Sequence, residues 1–512
     1  MEEINTNGTE IEQDNYHKGY YRIEPCKWHN SPPLVNALKS IAEENVATFG
    51  FPGHNRGQAA PFPLVELIGE TTYRHDILEV DNLSTPQGPI LEAQKQAAQV
   101  FGASKTWFLV GGTTCGIHAA IMGVCNPGDT LILPRNCHKS AISAMVLSGV
   151  IPKYIFPDYD FHWDIPTVVS PSQVQKAIKE LQYQGLKPGA VFITSPTYQG
   201  LCSNIKEISA LCHLHNIPLI VDEAHGAHFG FHPSLPLSAL QQGADVVAQS
   251  THKVLFSLAQ SSMLHVSPNN IADKDKINRC LQTLQTTSPS SLLLASLDAV
   301  TATLKNNPSS FFDNAINLAV EAKNKIEQIP GITVFDFPSA HDPLRLTVGV
   351  YDLGLSGYEA DDFLFNDQKV ISELPGSRSI TLSFPPRTCK EHVDRLILGF
   401  NNLSSSFIHH QKNKEINHVG FRFSFEPWND INMKLSPREA FFAKKKQVDI
   451  KDAIGKICGE LICPYPPGIP ITNPGEVISE IIIEILLKFK ADGAKVIGAS
   501  DPLLSSMLIC DV

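Results

Sequence analysis

The chain has 512 residues, long enough for more than one domain and a large buried core. Hydrophobic residues make up 43% and charged residues 18%, the balance of a globular protein, not a disordered one. A net charge of −11 argues against nucleic acid or an anionic membrane as partner and is compatible with a small cationic substrate.

The 11 cysteines are scattered, odd in number and form no C-x-x-C pair. That pattern indicates free thiols in a reducing compartment, with neither a disulfide framework nor a zinc site. No run of about 18 apolar residues offers a membrane span. The richest stretch, 477–487, is broken by Glu480 and Glu484 and reads as an amphipathic core helix. The acidic start MEEINTNGTEIEQDN matches neither a secretory signal nor an Arg-rich transit peptide. The expectation is a cytoplasmic protein with a loose N-terminal tail.

Residues 1–35 read as an N-terminal arm, polar at first and then aromatic at Tyr20, Tyr21 and Trp28. A helix pattern over 34–44 leads to Phe51-Pro52-Gly53-His54-Asn55-Arg56-Gly57, a ligand-contact loop or a plain connector. A loop over 76–90 and a helix over 91–101 follow. Trp107-Phe108-Leu109-Val110 is then a buried strand, 111–116 a glycine-rich turn with hydroxyls, and 117–124 a helix. Such a turn holds a phosphate on backbone N–H groups or simply turns the chain; it has neither Walker A nor dinucleotide spacing.

Apolar strands over 130–133, 151–156, 190–194, 217–221 and 244–248 alternate with helices, among them 171–183 and 201–215. This predicts a mainly parallel sheet covered on both faces, with active residues at the carboxyl ends of its strands. Thr113, His138, Thr197, Asp222 and Lys253 all fall at or just past such ends. A helix-rich stretch over 276–325 leads out of this domain. From about 331 the pattern changes, giving a large domain over 36–330 and a smaller α+β domain over 331–512.

Ser250-Thr251-His252-Lys253 closes the last of these strands. Burying an ammonium tends to neutralise it, and a neutral lysine is a nucleophile suited to a Schiff base with a carbonyl or with pyridoxal phosphate. That cofactor needs an attachment lysine, a carboxylate at its pyridine nitrogen, a flat group on its ring and donors for its phosphate. Lys253, Asp222, His138 and the Gly112-Thr113-Thr114-Cys115 turn can fill these needs. A metal hydrolase built on Asp222, His225, His228 and His232 is a rival without the H-E-x-x-H spacing. Another pyridoxal phosphate enzyme, such as an aminotransferase, would want an arginine such as Arg345 or Arg378 for the substrate carboxylate.

Ser250-Thr251-His252-Lys253 with Gln260, Asp222-Glu223-Ala224-His225-Gly226, Ser195-Pro196-Thr197-Tyr198 and Pro52-Gly53-His54 resemble the Orn/Lys/Arg decarboxylases. So do Ser436-Pro437-Arg438-Glu439-Ala440-Phe441 and Tyr465-Pro466-Pro467-Gly468-Ile469-Pro470. The likeness is to the short form, without the response-regulator-like wing of longer members. It departs at Ile117, where the family pattern expects Asn.

The resemblance implies an aspartate-aminotransferase-like fold (fold type I) and loss of the α-carboxylate from a basic amino acid. Arginine to agmatine, a step of polyamine biosynthesis, is the first expectation, with lysine and ornithine as alternatives. Lys253 would carry the cofactor, Asp222 pair with the pyridine nitrogen, and His138 stack on the ring. Thr113, Thr114, Cys115, Ser250 and His252 would surround the phosphate, with Ala224, His225 and Thr197 nearby. Lys253, His252 and His138 are the alternatives for returning a proton to Cα. His54, Asp76, Tyr198 and Glu476 are the expected substrate contacts, and a homodimer is implied.

Overall fold

The computed structural model describes residues 32–512 apart from 45–46, 48, 78–79, 307, 409–430, 466–467 and 492. Tyr20, Tyr21 and Trp28 of the expected arm, and Pro466-Pro467, lie outside the described residues.

Seven strands build the main sheet: β1 (Lys105–Leu109), β2 (Thr130–Pro134), β3 (Ile151–Ile155), β4 (Pro188–Thr194), β5 (Leu219–Asp222), β6 (Val246–Gln249) and β7 (Ser262–Val266). Their order is β1-β7-β6-β5-β4-β2-β3. Every neighbouring pair is parallel except those of β7, which runs antiparallel to both β1 and β6. Side chains alternate between two cores, as a period of two demands. In β4, Ala190 and Phe192 join the helices Gly112–Val124, Lys139–Ser148 and Lys274–Leu284. Val191 and Ile193 face the helices Pro171–Tyr183 and Ile205–Leu214.

The strand β7 is absent from the periodicity reading, because a serine-rich stretch runs into it and hides its start. Its antiparallel direction matters to the site. A parallel neighbour would need a crossover that carries the chain back to the amino end of the sheet, usually through a helix. Here the chain turns back through residues 250–261 and stays at the carboxyl end of the sheet, which keeps Ser250, Lys253, Ser257 and Ser261 together there.

A second, antiparallel sheet contains β8 (Thr333–Val334), β9 (Arg345–Gly349), β10 (Leu374–Pro375) and β11 (Ser379–Ser383) in the order β8-β9-β11-β10. Its inward residues Leu346, Val348, Ile380 and Leu382 pack with Ala319, Leu364 and Phe400 of flanking helices. Residues beyond 445 form a separate core around Ile450, Ile483, Leu486 and Met507, with the helix Glu480–Ala491 and two short antiparallel pairs. The second sheet therefore shares one core with residues from 34 onward, while the stretch beyond 445 has its own.

This last part is fastened to the main sheet by a buried ion pair. Arg135, just past β2, is fully buried and meets Glu476 twice, Nε to Oε1 at 3.0 Å and Nη2 to Oε2 at 2.9 Å. Its remaining donors reach the carbonyls of Pro470 at 2.6 Å and Ile471 at 3.0 Å. Such a pair is costly to desolvate, and removing one partner strands the other. Glu476→Ala is expected to lower stability by roughly 3–5 kcal/mol in urea unfolding, and Arg135→Met with Glu476→Leu to recover much of that loss.

Candidate active site

Lys253 is delivered by a single helical turn, Thr251–Val254, that follows β6. Its Nζ lies 3.1 Å from Nε2 of His225. The side chain is open to the cleft, yet the protein around it lowers its pKa by desolvation. Asp222 and Glu373 act against that shift and Arg345 with it. Asp222, the last residue of neighbouring β5, is buried and accepts the Ala224 N–H at 3.1 Å. Burial raises its pKa, while Lys253 pulls it down.

Hydroxyls gather one strand away. Thr113 Oγ1 lies 2.5 Å from Ser250 Oγ and 3.0 Å from Ser262 Oγ. The helix under Thr113 begins at Gly112, not at 117 as the glycine pattern implies. Gly112 adopts φ +69°, open to glycine at little cost, and donates its N–H to Gln260 O at 2.9 Å. Helical geometry leaves the N–H groups of Thr113 and Thr114 without an intrahelical acceptor, a ready anion site. His252 closes the cluster with Nδ1 at 2.7 Å from Ser261 O.

At the expected phosphate end, two side chains turn to the core. Cys115 packs into the apolar core, where burial pushes its thiol up to about 11. Ile117, at the position where Asn was expected, is fully buried in the same core.

His138 caps the helix Lys139–Ser148, its Nδ1 accepting the Ser140 N–H at 3.2 Å. The loop from the C-terminal part lies directly against it. Gly468 O accepts the Lys139 N–H at 3.2 Å, and a Cβ at Gly468 would meet the ring at 3.4 Å. Thr197 is buried and accepts the Leu201 N–H at 3.2 Å. Tyr198 tilts against His225 with ring centroids 4.6 Å apart, and lines a largely apolar cavity of about 130 Å³ with Thr194, Ile469 and Phe489.

The expected substrate contacts fare differently. Glu476 is spent on Arg135 and on Asn473, whose N–H and side-chain amide it accepts at 2.9 and 3.0 Å. It is a structural carboxylate, which corrects the expectation. His54 and Asp76 face each other at 3.5 Å, and His54 accepts the Gly57 N–H at 3.3 Å.

The histidines of the metal alternative diverge. His225 turns to Lys253, His228 meets Asp342 at 2.9 Å, and His232 meets Asp313 at 3.0 Å. No group of three metal-binding side chains is placed to hold an ion among the described residues. Arg378 stacks on Tyr351 at 3.5 Å from its ring centroid, and Arg345 directs Nη2 to His225 Nδ1 at 3.1 Å. Sequence reasoning overlooked this contact of Arg345. The signal was a charged residue opening an otherwise apolar strand, Arg345-Leu346-Thr347-Val348, which only a polar partner inside the fold accommodates.

Residues 32–378 match the model of the Orn/Lys/Arg decarboxylase major domain, and residues 424–498 that of its C-terminal domain. The chain belongs to the Orn/Lys/Arg decarboxylase family. It is 34% identical over 484 residues to an arginine decarboxylase of Bacillus subtilis, covering 92% of this chain and 96% of that relative. An arginine decarboxylase of Halalkalibacterium halodurans is 35% identical over 493 residues, covering 93% and 97%. The crystal structure of the lysine decarboxylase LdcF of Francisella novicida shares the fold, with a TM-score of 0.80 at 21% identity over 93% of this chain and 80% of that one.

Burial, with Lys253, Lys139 and His118 nearby, pushes His138 down to about 4. An unfolded histidine near 6.5 takes a proton where the folded one does not, so stability falls as pH drops from 6.5 toward 4, by up to about 1.4 kcal/mol per unit. His138→Asn, which keeps a capping side chain, is expected to flatten that slope in urea midpoints measured across this range.

Proposed function

We propose that this chain uses pyridoxal phosphate to decarboxylate a basic L-amino acid, with arginine, giving agmatine, as the substrate. The observation that carries the reading is the convergence of an accessible lysine, a buried carboxylate and a hydroxyl-lined helix N-terminus at adjoining strand ends. These residues fit the cofactor. Bound there, it would supply an electron sink for the charge left at Cα when CO2 departs.

In this reading Lys253 is the attachment point and Asp222 keeps a proton on the pyridine nitrogen. His138 would stack on the ring, and Ala224, two residues after Asp222, would lie beside it. Thr113, Thr114, Ser250 and His252 hold the phosphate. His225 and Thr197 shape the wall beside Lys253, and Tyr198 continues it toward the cavity. His54 and Asp76 form a polar pair offered to the distal cation of the substrate.

Arginine is supported by the two relatives that carry the name arginine decarboxylase over nearly their whole length. The alternatives are lysine and ornithine, giving cadaverine and putrescine. We place the product in polyamine biosynthesis and the enzyme in the cytoplasm, a location supported by the free state of all ten cysteines among the described residues. We infer a homodimer. Large apolar side chains exposed at Phe49, Phe51, Phe62 and Leu67, all before the main sheet, support it. The domain boundary is put near 331, where the parallel sheet gives way to the antiparallel one.

Purified protein offered arginine, lysine and ornithine in separate reactions is expected to form agmatine fastest. Cadaverine or putrescine as the dominant product would replace the substrate, and transfer of the amino group without CO2 release would end the decarboxylase reading. Lys253→Ala is expected to abolish turnover with all three.

A further inference from the structure

Three side chains beside the cleft form a directed chain. Arg345, the first residue of β9, is buried and places Nη2 3.1 Å from His225 Nδ1. On the other side of the ring, Nε2 lies 3.1 Å from Lys253 Nζ. A guanidinium has only donors, so Nδ1 must be the accepting nitrogen. A neutral imidazole has one N–H, which then sits on Nε2. Burial holds His225 far below the ordinary histidine pKa, with Lys253, Arg345, His138 and His228 acting in the same direction, so the ring takes no second proton.

The N–H on Nε2 therefore points at Lys253. An ammonium there would set donor against donor, whereas a neutral amine offers its lone pair. We propose that Arg345, acting through the tautomer of His225, shifts Lys253 toward the neutral amine, the form that attacks an aldehyde. Arg345 is thus a positioning residue, and its permanent charge makes the tautomer independent of pH across the working range.

Other groups around the amine pull in both directions. Asp222 from the end of β5 and Glu373 from the segment entering β10 favour the ammonium, while Arg345 from β9 opposes it. His138, from the N-cap of Lys139–Ser148, is neutral well below pH 7. Desolvation is the largest influence on Lys253, and the net shift is toward the amine.

The inference rests on Lys253 being the cofactor's attachment point, and its test reads the lysine without the cofactor. The full chain, stripped of bound cofactor, is treated with trinitrobenzenesulfonate over a series of pH values. Labelling of the Lys253 peptide is followed by mass spectrometry. Wild-type protein is expected to reach half-labelling at least about one pH unit below the ordinary lysine value of about 10.4. Arg345→Met, which has no donor for Nδ1, is expected to raise that midpoint by about one unit or more, and Arg345→Lys, still a donor-only cation, to keep it near wild type. A wild-type midpoint at the ordinary lysine value overturns the proposal by itself, even if Arg345→Met does not fold. An unchanged midpoint in a folded Arg345→Met protein overturns it as well. Failure of pyridoxal phosphate to attach at Lys253 would end the functional reading and leave the midpoint unmoved, so the two fail separately.

Discussion

Desolvation of polar groups at the ends of β5 and β6 is the constraint on which this structure depends. Asp222 and His225 are buried while Lys253 opens to the cleft, and desolvation shifts each toward its neutral form. Fully neutral, the cluster would have no reason to stay ordered. It is ordered by direct pairing: Arg345 to His225, His225 to Lys253, and the Ala224 N–H to Asp222. A lysine left in water would be an ammonium and no nucleophile. A lysine buried without partners would cost more than the fold can offset. The arrangement found lies between these extremes.

The rest of the chain holds that cluster in register. The helix that carries His138 is gripped at both ends by the C-terminal part. Gly468 O receives the Lys139 N–H at its start, and Arg438 donates to Leu147 O at 2.8 Å near its end. Arg135 and Glu476 anchor the same loop from below. The motif around 436–441 thus contacts the helix that carries His138, and Gly468 of the second motif lies against His138 itself. Among the described residues neither motif supplies a group to the Lys253 cluster. The antiparallel β7 performs the equivalent service for the hydroxyls, since its direction keeps residues 250–261 at the active end of the sheet.

Much of this was legible in the residues. Apolar runs such as Ala190-Val191-Phe192-Ile193 are long, uniform and bounded by helix patterns, so the parallel sheet and the strand-end positions of Asp222 and Lys253 follow from them. The helix Pro171–Tyr183 begins with a serine cap and proline and falls where its pattern says. Illegible features depend on partners far away in the chain. Glu476 looks like a free carboxylate beside a turn, and only the fold brings Arg135 to it across 341 positions. Cys115 follows two threonines expected at the phosphate, but a helix starting at Gly112 turns its side chain to the core. Arg345 carries no local sign of its target, because the histidine it orients lies in the turn after β5, 120 positions away in the chain.

The most direct measurement of the central claim is reduction of the purified, coloured protein with borohydride, followed by identification of the peptide that keeps the cofactor. The account predicts visible absorbance before treatment and pyridoxal phosphate fixed to the peptide containing Lys253 afterwards. A protein that takes up no pyridoxal phosphate, or that retains it on another lysine, would contradict it.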